Sequence, residues 1–347
     1  MRIRCDDVAN IGDESLREWY ERGSFLQAGI NLDGSMFYID KEPEEDSDDR
    51  KTYIFIHGFP TSSYDFKGVF DDERLRNDRL VTFDHLGFGF SSKPVDRCYS
   101  MNSHAEKVIQ LLRHLDLTEE KIIWVAHDMG DSVLTELMSM VWSETTVISS
   151  PHIFDRVIFT NGGMYYKLIS KRLAQRILIN PTLGPIFTRF APLKLKRAFG
   201  REQLASIWGS ERRGGAEMHK HIDRIEMLNE FNGGDEILHK LCFYLVERSY
   251  MEERWFDTLT LSVMSGLEIK FLWGDDDAVA PSSIVDALTQ TITWFEDQGE
   301  IVKLKGVGHF LMIEDCDRFV SEILEFDGAT QRTSGRCIPK TLVLPAL

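Results

Sequence analysis

An aspartate lies at the centre of the segment best suited to chemistry, residues 126–132, which run Ala-His-Asp-Met-Gly-Asp-Ser. The apolar run 122–125 precedes this segment, and helix-forming residues 133–138 follow it. A buried strand, a tight turn flanked by small residues and a helix make up a nucleophile elbow, whose tip residue is held in a strained backbone conformation. No Gly-x-Ser-x-Gly stretch competes for that role, so the pattern predicts that Asp128 is a nucleophile. The alternative is that Asp128 is only a helix N-cap, which aspartate also favours.

A second carboxylate and a histidine follow in the chain order of a nucleophile–acid–histidine triad. Residues 271–273 predict a late strand, and three consecutive aspartates come just after it. The spacing from Gly274 and the position of Pro281 select Asp277 as the acid, and the other two aspartates are expected to be solvated turn residues. His309 lies in a glycine-flanked loop ahead of a predicted helix at 319–326. The sequence therefore predicts a triad of Asp128, Asp277 and His309.

The loop after an earlier predicted strand supplies the expected oxyanion donors. Residues 57–64 run His-Gly-Phe-Pro-Thr-Ser-Ser-Tyr and follow a short apolar segment. In an enzyme with a nucleophile elbow, this loop gives one backbone N–H and the residue after the nucleophile gives the second. We assign these donors to Phe59 and Met129. We expect His57 to shape the loop by hydrogen bonding rather than to take part in catalysis.

The choice of aspartate limits the reaction. A carboxylate is ionised at neutral pH and needs no base to activate it. Attack on an ester carbonyl would give an anhydride, whereas attack on a saturated carbon opens an epoxide or expels a halide and leaves an alkyl ester on Asp128. Water activated by His309 would then hydrolyse that ester, with Asp277 holding and stabilising the imidazolium.

Short apolar segments alternate with helical patterns along most of the chain, which is typical of a mainly parallel sheet covered on both faces. Strands are predicted at residues 23–29, 35–40, 53–56, 79–83, 122–125, 156–160, 269–273 and 301–304. The pattern is helical between 162 and about 260. We therefore predict an α/β-hydrolase fold, an eight-stranded sheet flanked by helices with an inserted helical lid. The predicted divisions are a core in two parts (1–161 and 261–327), a lid (162–260) and a C-terminal tail (328–347).

Composition narrows the possible partners and location. Hydrophobic residues make up 43% of the 347 residues, enough for a sizeable core, and no apolar run is long enough to span a bilayer. The five cysteines lack the spacing of a disulfide framework or zinc site, and the first residues are charged, so we expect a cytoplasmic protein with free thiols, no metal and no cofactor. The net charge of −16 argues against nucleic-acid binding. We expect a small-molecule substrate, and the sequence does not predict the oligomeric state.

Basic residues are concentrated in one segment of this acidic chain. Residues 167–213 hold eleven lysines and arginines and only two glutamates. Such a segment could face anionic substrates or a membrane surface. The interpretation favoured by the sequence is that it forms the solvated face of amphipathic helices.

Several segments together resemble the epoxide hydrolase and haloalkane dehalogenase branch of the α/β-hydrolases, and within it the mesoderm-specific transcript-like group. The segments that carry the resemblance are residues 57–64, 84–91, 127–131, 161–163 and 244–248. The resemblance covers residues 19–326 and implies an aspartate nucleophile. Dehalogenases of this branch place a tryptophan after the nucleophile and often an asparagine in the oxyanion loop, whereas this chain has Met129 and Phe59. These departures favour an epoxide hydrolase-like reaction.

The resemblance also implies that lid tyrosines protonate the opened epoxide. Tyr250 is the first candidate for the proton donor and Tyr244 the second; Tyr165 is also available. Arg248 stands where the branch has its second tyrosine and would suit an anionic group better than proton donation. Two alternatives remain open from the sequence. One is a haloalkane or haloacid dehalogenase-like hydrolase, and the other is an α/β-hydrolase scaffold that binds a ligand with little turnover.

Overall fold

A computed structural model of the chain describes residues 11–27, 34–45, 49–148, 151–292 and 299–328. One eight-stranded sheet runs through it, in the order β1-β2-β4-β3-β5-β6-β7-β8. The strands are β1 (Ser24–Gln27), β2 (Ser35–Lys41), β3 (Thr52–Ile56), β4 (Arg79–Phe83), β5 (Ile122–His127), β6 (Phe154–Thr160), β7 (Glu268–Gly274) and β8 (Gly299–Leu304). The predicted eight-stranded, mainly parallel sheet is confirmed.

Strand direction and strand burial both differ between the centre of the sheet and the edge formed by β1 and β2. From β4 through β3 and β5 to β8 all neighbours are parallel, and β2 pairs antiparallel with both of its neighbours, β1 and β4. All residues of β3 and β5 are buried, because helices cover both faces of the sheet at its centre. That is why these strands are continuous apolar runs in the sequence rather than alternating ones.

Helices connect the strands and form a separate group between β6 and β7. In chain order they are α1 (Glu14–Glu21), α2 (Lys67–Phe70), α3 (Met101–His114), α4 (Met129–Trp142), α5 (Leu173–Leu178), α6 (Leu183–Phe190), α7 (Leu193–Ala205), α8 (Ala216–Glu230), α9 (Leu238–Leu241), α10 (Tyr244–Met264), α11 (Ser283–Thr291), α12 (Leu311–Glu314) and α13 (Cys316–Gly328). Short 3₁₀ turns lie at Ser63–Phe66, Glu73–Leu75, Pro151–Ile153, Tyr166–Leu168 and Phe231–Glu236.

The helical insertion, as we name residues 161–267, contains α5 to α10 and no strand in the structure. The boundary predicted at residue 260 falls inside α10, which continues to Met264. The second half of α10 packs on the core helix α4, where Glu136 accepts hydrogen bonds from Arg254 and from the indole N–H of Trp255. Trp255 is fully buried at this contact, so α10 is anchored to the core although it belongs to the insertion by sequence.

The carboxyl ends of the parallel strands share one edge of the sheet. Loops that follow β3, β5, β6, β7 and β8 therefore converge there, as ligand sites do in open α/β sheets. No helix among the described residues is both long and apolar enough to cross a membrane. Helix α13 ends at Gly328, and the rest of the predicted tail (328–347) lies outside the described residues.

Candidate active site

Asp128 lies at a strained turn between β5 and α4. Its backbone has φ 48° and ψ −107°, a conformation that side chains other than glycine rarely adopt. The turn fits only because its neighbours are small. A Cβ on Gly130 would lie 2.5 Å from the carbonyl oxygen of Ile56, and one on Gly58 would lie 2.6 Å from the Cβ of Asp128. The strand–turn–helix geometry is that of a nucleophile elbow, with a carboxylate at its tip.

Two donors hold one oxygen of the Asp128 carboxylate. The backbone N–H of Phe59 donates to Oδ2 over 3.0 Å, and the hydroxyl of Tyr244 donates to the same oxygen over 3.3 Å. The Phe59 amide thus lies where the sequence placed the first oxyanion donor. Met129 is the first residue of α4, directly after Asp128, and its role as the second donor stays a prediction.

Arg248 lies on the other side of the same aspartate. Its Nη2 donates to the backbone carbonyl of Asp128 over 2.7 Å and lies 3.6 Å from the carboxylate Oδ1. Its Nε donates to the hydroxyl of Ser132 over 2.8 Å. The guanidinium is almost completely buried and stacks over the ring of Tyr244 at 4.6 Å. Arg248 therefore braces the elbow and balances the buried charge of the carboxylate.

Asp277 and His309 form a buried pair. Nδ1 of His309 lies 2.7 Å from Oδ2 of Asp277. That carboxylate also accepts hydrogen bonds from the Asn161 side chain (2.6 Å) and from the backbone N–H groups of Val279 and Ala280 (2.7 and 3.2 Å). Every donor favours the charged form, so the pKa of Asp277 is lowered although burial alone would raise it. Of the three aspartates in the turn, the structure pairs Asp277 with the histidine.

The charges around His309 control its proton. Burial on its own would lower the pKa of His309, but the carboxylates of Asp277, Asp128 and Glu314 together raise it to about 9. With a pKa of about 9, the imidazole carries a proton at neutral pH. Neutralising Asp128 would remove one of the charges that keep this pKa high.

Glu314, which was not predicted from the sequence, fixes the loop of His309. One of its carboxylate oxygens accepts hydrogen bonds from the N–H groups of Gly209 (2.9 Å) and Gly308 (3.0 Å), and the other from the N–H of Phe310 (3.2 Å). The N–H of His309 itself donates to the carbonyl of Ile207 over 2.9 Å. The loop of His309 is thus hydrogen-bonded to the segment of the helical insertion just after α7.

Asn161 is a second positioning residue that was quoted only for a family resemblance. It directly follows β6 and has a φ of 45°. Its amide donates to Asp277, and its side-chain oxygen accepts the N–H of Gly274 over 2.7 Å. The role predicted for His57 agrees with its contacts, since its ring nitrogens bond Gly58 O and the N–H of His85. These side chains shape the loops rather than face a substrate.

The structure corrects the order of the lid candidates. The placement predicted for Tyr250 is wrong, because 79% of its side chain is exposed on the outer face of α10. Tyr165 is half-buried, packs on Phe256 with ring centroids 5.2 Å apart and is not among the residues that line the cavity beside Asp128. Tyr244 is fully buried and contacts Asp128 directly, and Arg248 joins it one helical turn later.

A cavity of about 150 Å³ opens beside Asp128 and His309. Its inner end is formed by the core residues Phe59, Pro60 and Val279, and residues of the helical insertion from α5 to α9 supply the rest of its wall. About half of these insertion residues are polar or charged, but the surface that lines the cavity is mainly apolar. Within the described part of the chain, no group of three or more histidine, cysteine, aspartate or glutamate residues is arranged to hold a metal ion.

Comparison with known proteins decides the family. Residues 53–322 match the family model described as the alpha/beta hydrolase family. The chain belongs to the α/β-hydrolase family. Among the relatives of this α/β-hydrolase is LipZ of Mycobacterium tuberculosis, which is named as a hydrolase. It is 30% identical over 301 residues, which cover 86% of this chain and 93% of LipZ. The mesoderm-specific transcript protein of Mus musculus is 30% identical over 269 residues, covering 77% of this chain and 75% of that protein. The predicted likeness to this group is confirmed.

Solved structures with the same fold include an esterase and a haloalkane dehalogenase. An esterase from Thermogutta terrifontis superposes with a TM-score of 0.66 at 17% identity, covering 88% of this chain and 98% of the esterase. The haloalkane dehalogenase DbeA from Bradyrhizobium elkani USDA94 gives a TM-score of 0.65 at 17% identity, covering 88% of this chain and 99% of the dehalogenase. At these identities the likeness shows the fold alone. This α/β-hydrolase is therefore a member of a superfamily whose reactions differ, and its own site has to indicate which one it performs.

Proposed function

We propose that this α/β-hydrolase opens epoxides in two steps through an alkyl ester on Asp128. The observation that carries the proposal is the environment of the Asp128 carboxylate. It lies at the tip of the elbow, on a cavity shared with His309, and Oδ2 is held by the Phe59 N–H and the Tyr244 hydroxyl. Because Oδ2 is held by two donors, we assign the attack on substrate to Oδ1.

In the first step, Oδ1 of Asp128 bonds to one epoxide carbon and the bond from that carbon to the ring oxygen breaks. The electron pair stays on the departing oxygen, which takes a proton from a nearby donor. We assign this donor to Tyr244. Burial and the charge of Asp128 raise the pKa of Tyr244 well above its usual value, so the phenol keeps its proton until an alkoxide forms. The new alkoxide lies on the carbon next to the ester linkage, close to a hydroxyl that already contacts the carboxylate.

In the second step, water attacks Cγ of Asp128 while its proton passes to His309. Esterification removes the charge of Asp128, which lowers the pKa of His309. The imidazolium then loses its proton, which replaces the one that Tyr244 gave to the alkoxide, and the neutral imidazole can accept a proton from water. The oxyanion on Oδ2 stays with the Phe59 N–H; one such donor typically contributes about 3 kcal/mol to the transition state. Collapse of this intermediate releases the diol, which takes the proton from His309, and leaves Asp128 as a carboxylic acid with one oxygen from water. That acid gives its proton to His309, which restores the carboxylate and the imidazolium.

The lining of the cavity supports an apolar substrate. Leu178, Leu204, Ile207 and Ile225 supply apolar side chains, and Phe59 closes the inner end beside Asp128. Displacing water from such a surface favours binding by about 25 cal/mol per Å² of apolar area. Haloalkane dehalogenation is less well supported, because Met129 has no side-chain N–H to stabilise a departing halide.

The test is a panel of terminal and disubstituted epoxides, haloalkanes and aryl esters with the purified protein. Single turnover of an epoxide in heavy-oxygen water should put label into the peptide that contains Asp128, because the water enters its carboxyl group. His309→Gln should accumulate a protein heavier by one substrate unit, since the first step needs no base. Label confined to the diol after many turnovers would refute the ester intermediate. Activity on haloalkanes but not epoxides would transfer the mechanism to dehalogenation, and ligand binding without turnover would favour the binding scaffold.

A further inference from the structure

Helix α6 turns three of its four large apolar side chains to solvent. Leu183, Ile186 and Phe190 are three and four residues apart, so they form one stripe along the helix. Their side chains are exposed by 52%, 51% and 76%. A surface helix of a globular protein normally directs such a stripe at the core, so this helix has the opposite orientation.

The buried face of α6 explains why the helix does not rotate. A Cβ on Gly184 would lie 2.3 Å from the carbonyl oxygen of Leu178, so only glycine permits this approach. Thr188 is buried, and its hydroxyl lies 2.8 Å from Nδ1 of His239 and bonds the carbonyl of Gly184. The contacts that fix α6 are thus made by Gly184, Thr188 and Phe187, which packs on Phe199 with ring centroids 5.8 Å apart, and they leave the apolar stripe outward.

Neighbouring helices extend this surface. Leu173 of α5 is 57% exposed, and Leu193 and Leu195 of α7 are exposed by 43% and 55%. We name these three leucines and the stripe of α6 the outer apolar patch. Helix α5 packs on both α6 and α7, and exposed apolar patches mark interaction sites on soluble proteins.

Positive charge accompanies the outer apolar patch. The exposed basic residues on or next to α5, α6 and α7 are Lys167, Arg176, Arg189, Lys194 and Arg197, of which Arg197 already pairs with Glu230 of α8 over 2.5 Å. No acidic residue occurs between Lys167 and Arg201, although the whole chain has a net charge of −16. Exposed apolar side chains together with lysine and arginine are the combination by which helices bind the surface of an anionic bilayer.

We propose that the outer apolar patch docks on the surface of a membrane that contains anionic lipid. Leu183, Ile186 and Phe190 would enter the interface, and the basic residues around them would contact lipid phosphates and carboxylates. A second copy of the chain fits less well. Patch-on-patch pairing would bring the two sets of basic residues together, and like charges at an interface oppose association.

The outer apolar patch lies on helices that also form part of the cavity wall. Helices α6 and α7 supply Phe187, Leu193 and Lys196 to the cavity that reaches Asp128 and His309. The same two helices therefore form the outer patch and part of the cavity wall, so a docked protein would hold this wall against the lipid phase. Docking is proposed independently of the reaction, and its test does not require activity.

The test is flotation of the full chain with vesicles of phosphatidylcholine alone and of an equal mixture with phosphatidylserine. The wild type should float with the mixed vesicles and much less with the neutral ones or in high salt. The triple variant Leu183→Ser/Ile186→Ser/Phe190→Ser should reduce binding roughly tenfold or more. Arg189→Gln/Lys194→Gln should weaken binding mainly to the anionic vesicles. Circular dichroism and thermal melting establish that both variants are folded.

Matched controls alter equally exposed residues elsewhere. Val147 is 61% exposed outside the helical insertion, and Lys121 and Lys305 are exposed lysines of the core. Val147→Ser and Lys121→Gln/Lys305→Gln should float like the wild type. Absence of flotation of the wild type, or a folded triple variant that floats as well as the wild type, would overturn the proposal. So would sedimentation showing that the triple substitution only converts a dimer into monomers.

Discussion

The strands that lead to the sheet edge bury their apolar residues, whereas the outer helices of the insertion expose many of theirs. At the sheet edge, every residue of β3 and β5 is buried, and the chemical groups lie just beyond the strand ends. In α5 to α7, leucines and a phenylalanine face solvent, and few side chains are fully buried. Groups that make and break bonds need positions fixed to fractions of an ångström, which only the packed core supplies. The outer helices hold none of these groups and instead form part of the wall of the cavity that a substrate would enter.

Helix α10 shows that this division does not follow the sequence boundary. It belongs to the insertion, yet Tyr244, Arg248 and Trp255 are fully or almost fully buried and contact the core. We therefore separate a fixed part, the sheet edge with α10, from an outer part, α5 to α7. Substitutions in the fixed part should change the reaction, and substitutions of solvent-exposed residues of the outer part should leave the reaction and the fold nearly unchanged.

The largest effect is expected for Asp128→Asn. The amide is a poor nucleophile, and the variant keeps the shape of the elbow, so turnover should fall by about 10⁴-fold or more while the melting temperature changes little. Single-turnover kinetics on an identified substrate, beside circular dichroism, measure both. Appreciable turnover in a variant shown by mass spectrometry to retain asparagine would remove Asp128 from the mechanism.

Asp277→Asn should come next, with a loss of about 10³–10⁴-fold, because the imidazole loses the partner that orients it. The same variant makes a pH prediction. His309 has a folded pKa of about 9 against 6.5, so its proton stabilises the fold fully below pH 6.5 and progressively less as pH rises through 9.

Asp277→Asn should largely abolish that contribution. The difference in melting temperature between the two proteins should therefore be largest below pH 6.5 and shrink towards pH 9. A difference that stays constant from pH 6 to 9.5 would show that His309 does not draw its proton affinity from Asp277.

A smaller effect separates the two tyrosines of α10. Tyr244→Phe should lower turnover of an epoxide by about 10²-fold, the lower end for a lost general acid, with burst kinetics showing slower ester formation. Tyr250→Phe is the matched control and should be unchanged, because its hydroxyl lies in solvent. Equal rates for the two variants would mean that Tyr244 donates no proton in the slow step.

The smallest effect is expected in the outer part. Ile186→Ala should alter the free energy of unfolding by no more than about 0.5 kcal/mol, as exposed substitutions usually do. The same change at the fully buried Ile54 should cost about 2–5 kcal/mol. Urea denaturation of both variants compares them directly. A large loss at Ile186 would place α6 within the cooperative core and contradict the division.

Chain order and the residues at strand ends were enough to predict the fold and the triad candidates. Parallel strands bring their carboxyl ends to one edge, so three short motifs that are far apart in sequence had to meet. The buried faces of the helices in the insertion were harder to predict, because the apolar pattern of α10 is weak. A signal existed, since Tyr244, Arg248 and Trp255 are four and seven residues apart and share one face, whereas Tyr250 lies only two residues past Arg248.

The positioning residues could not be predicted for a different reason. Glu314 and Asn161 bind backbone groups or side chains that are brought to them only by tertiary structure. Nothing local distinguishes such a glutamate or asparagine from a solvated one. The outward orientation of α6 was hidden for the same reason, because its apolar spacing is that of an ordinary buried helix until Gly184 and Thr188 are seen to occupy the inner face.

The carboxylate of Glu314 links the loop of His309 to the segment of the helical insertion just after α7. It holds the amides of Gly209 and Gly308 together, and the carbonyl of Ile207 accepts the amide of His309. These segments cannot separate without leaving a buried carboxylate short of its donors, so a displacement just after α7 must be transmitted to His309. Energetic coupling between two sites is reciprocal. Any change that the segment after α7 makes to the proton affinity of His309 is therefore matched by an equal effect of that protonation on the segment.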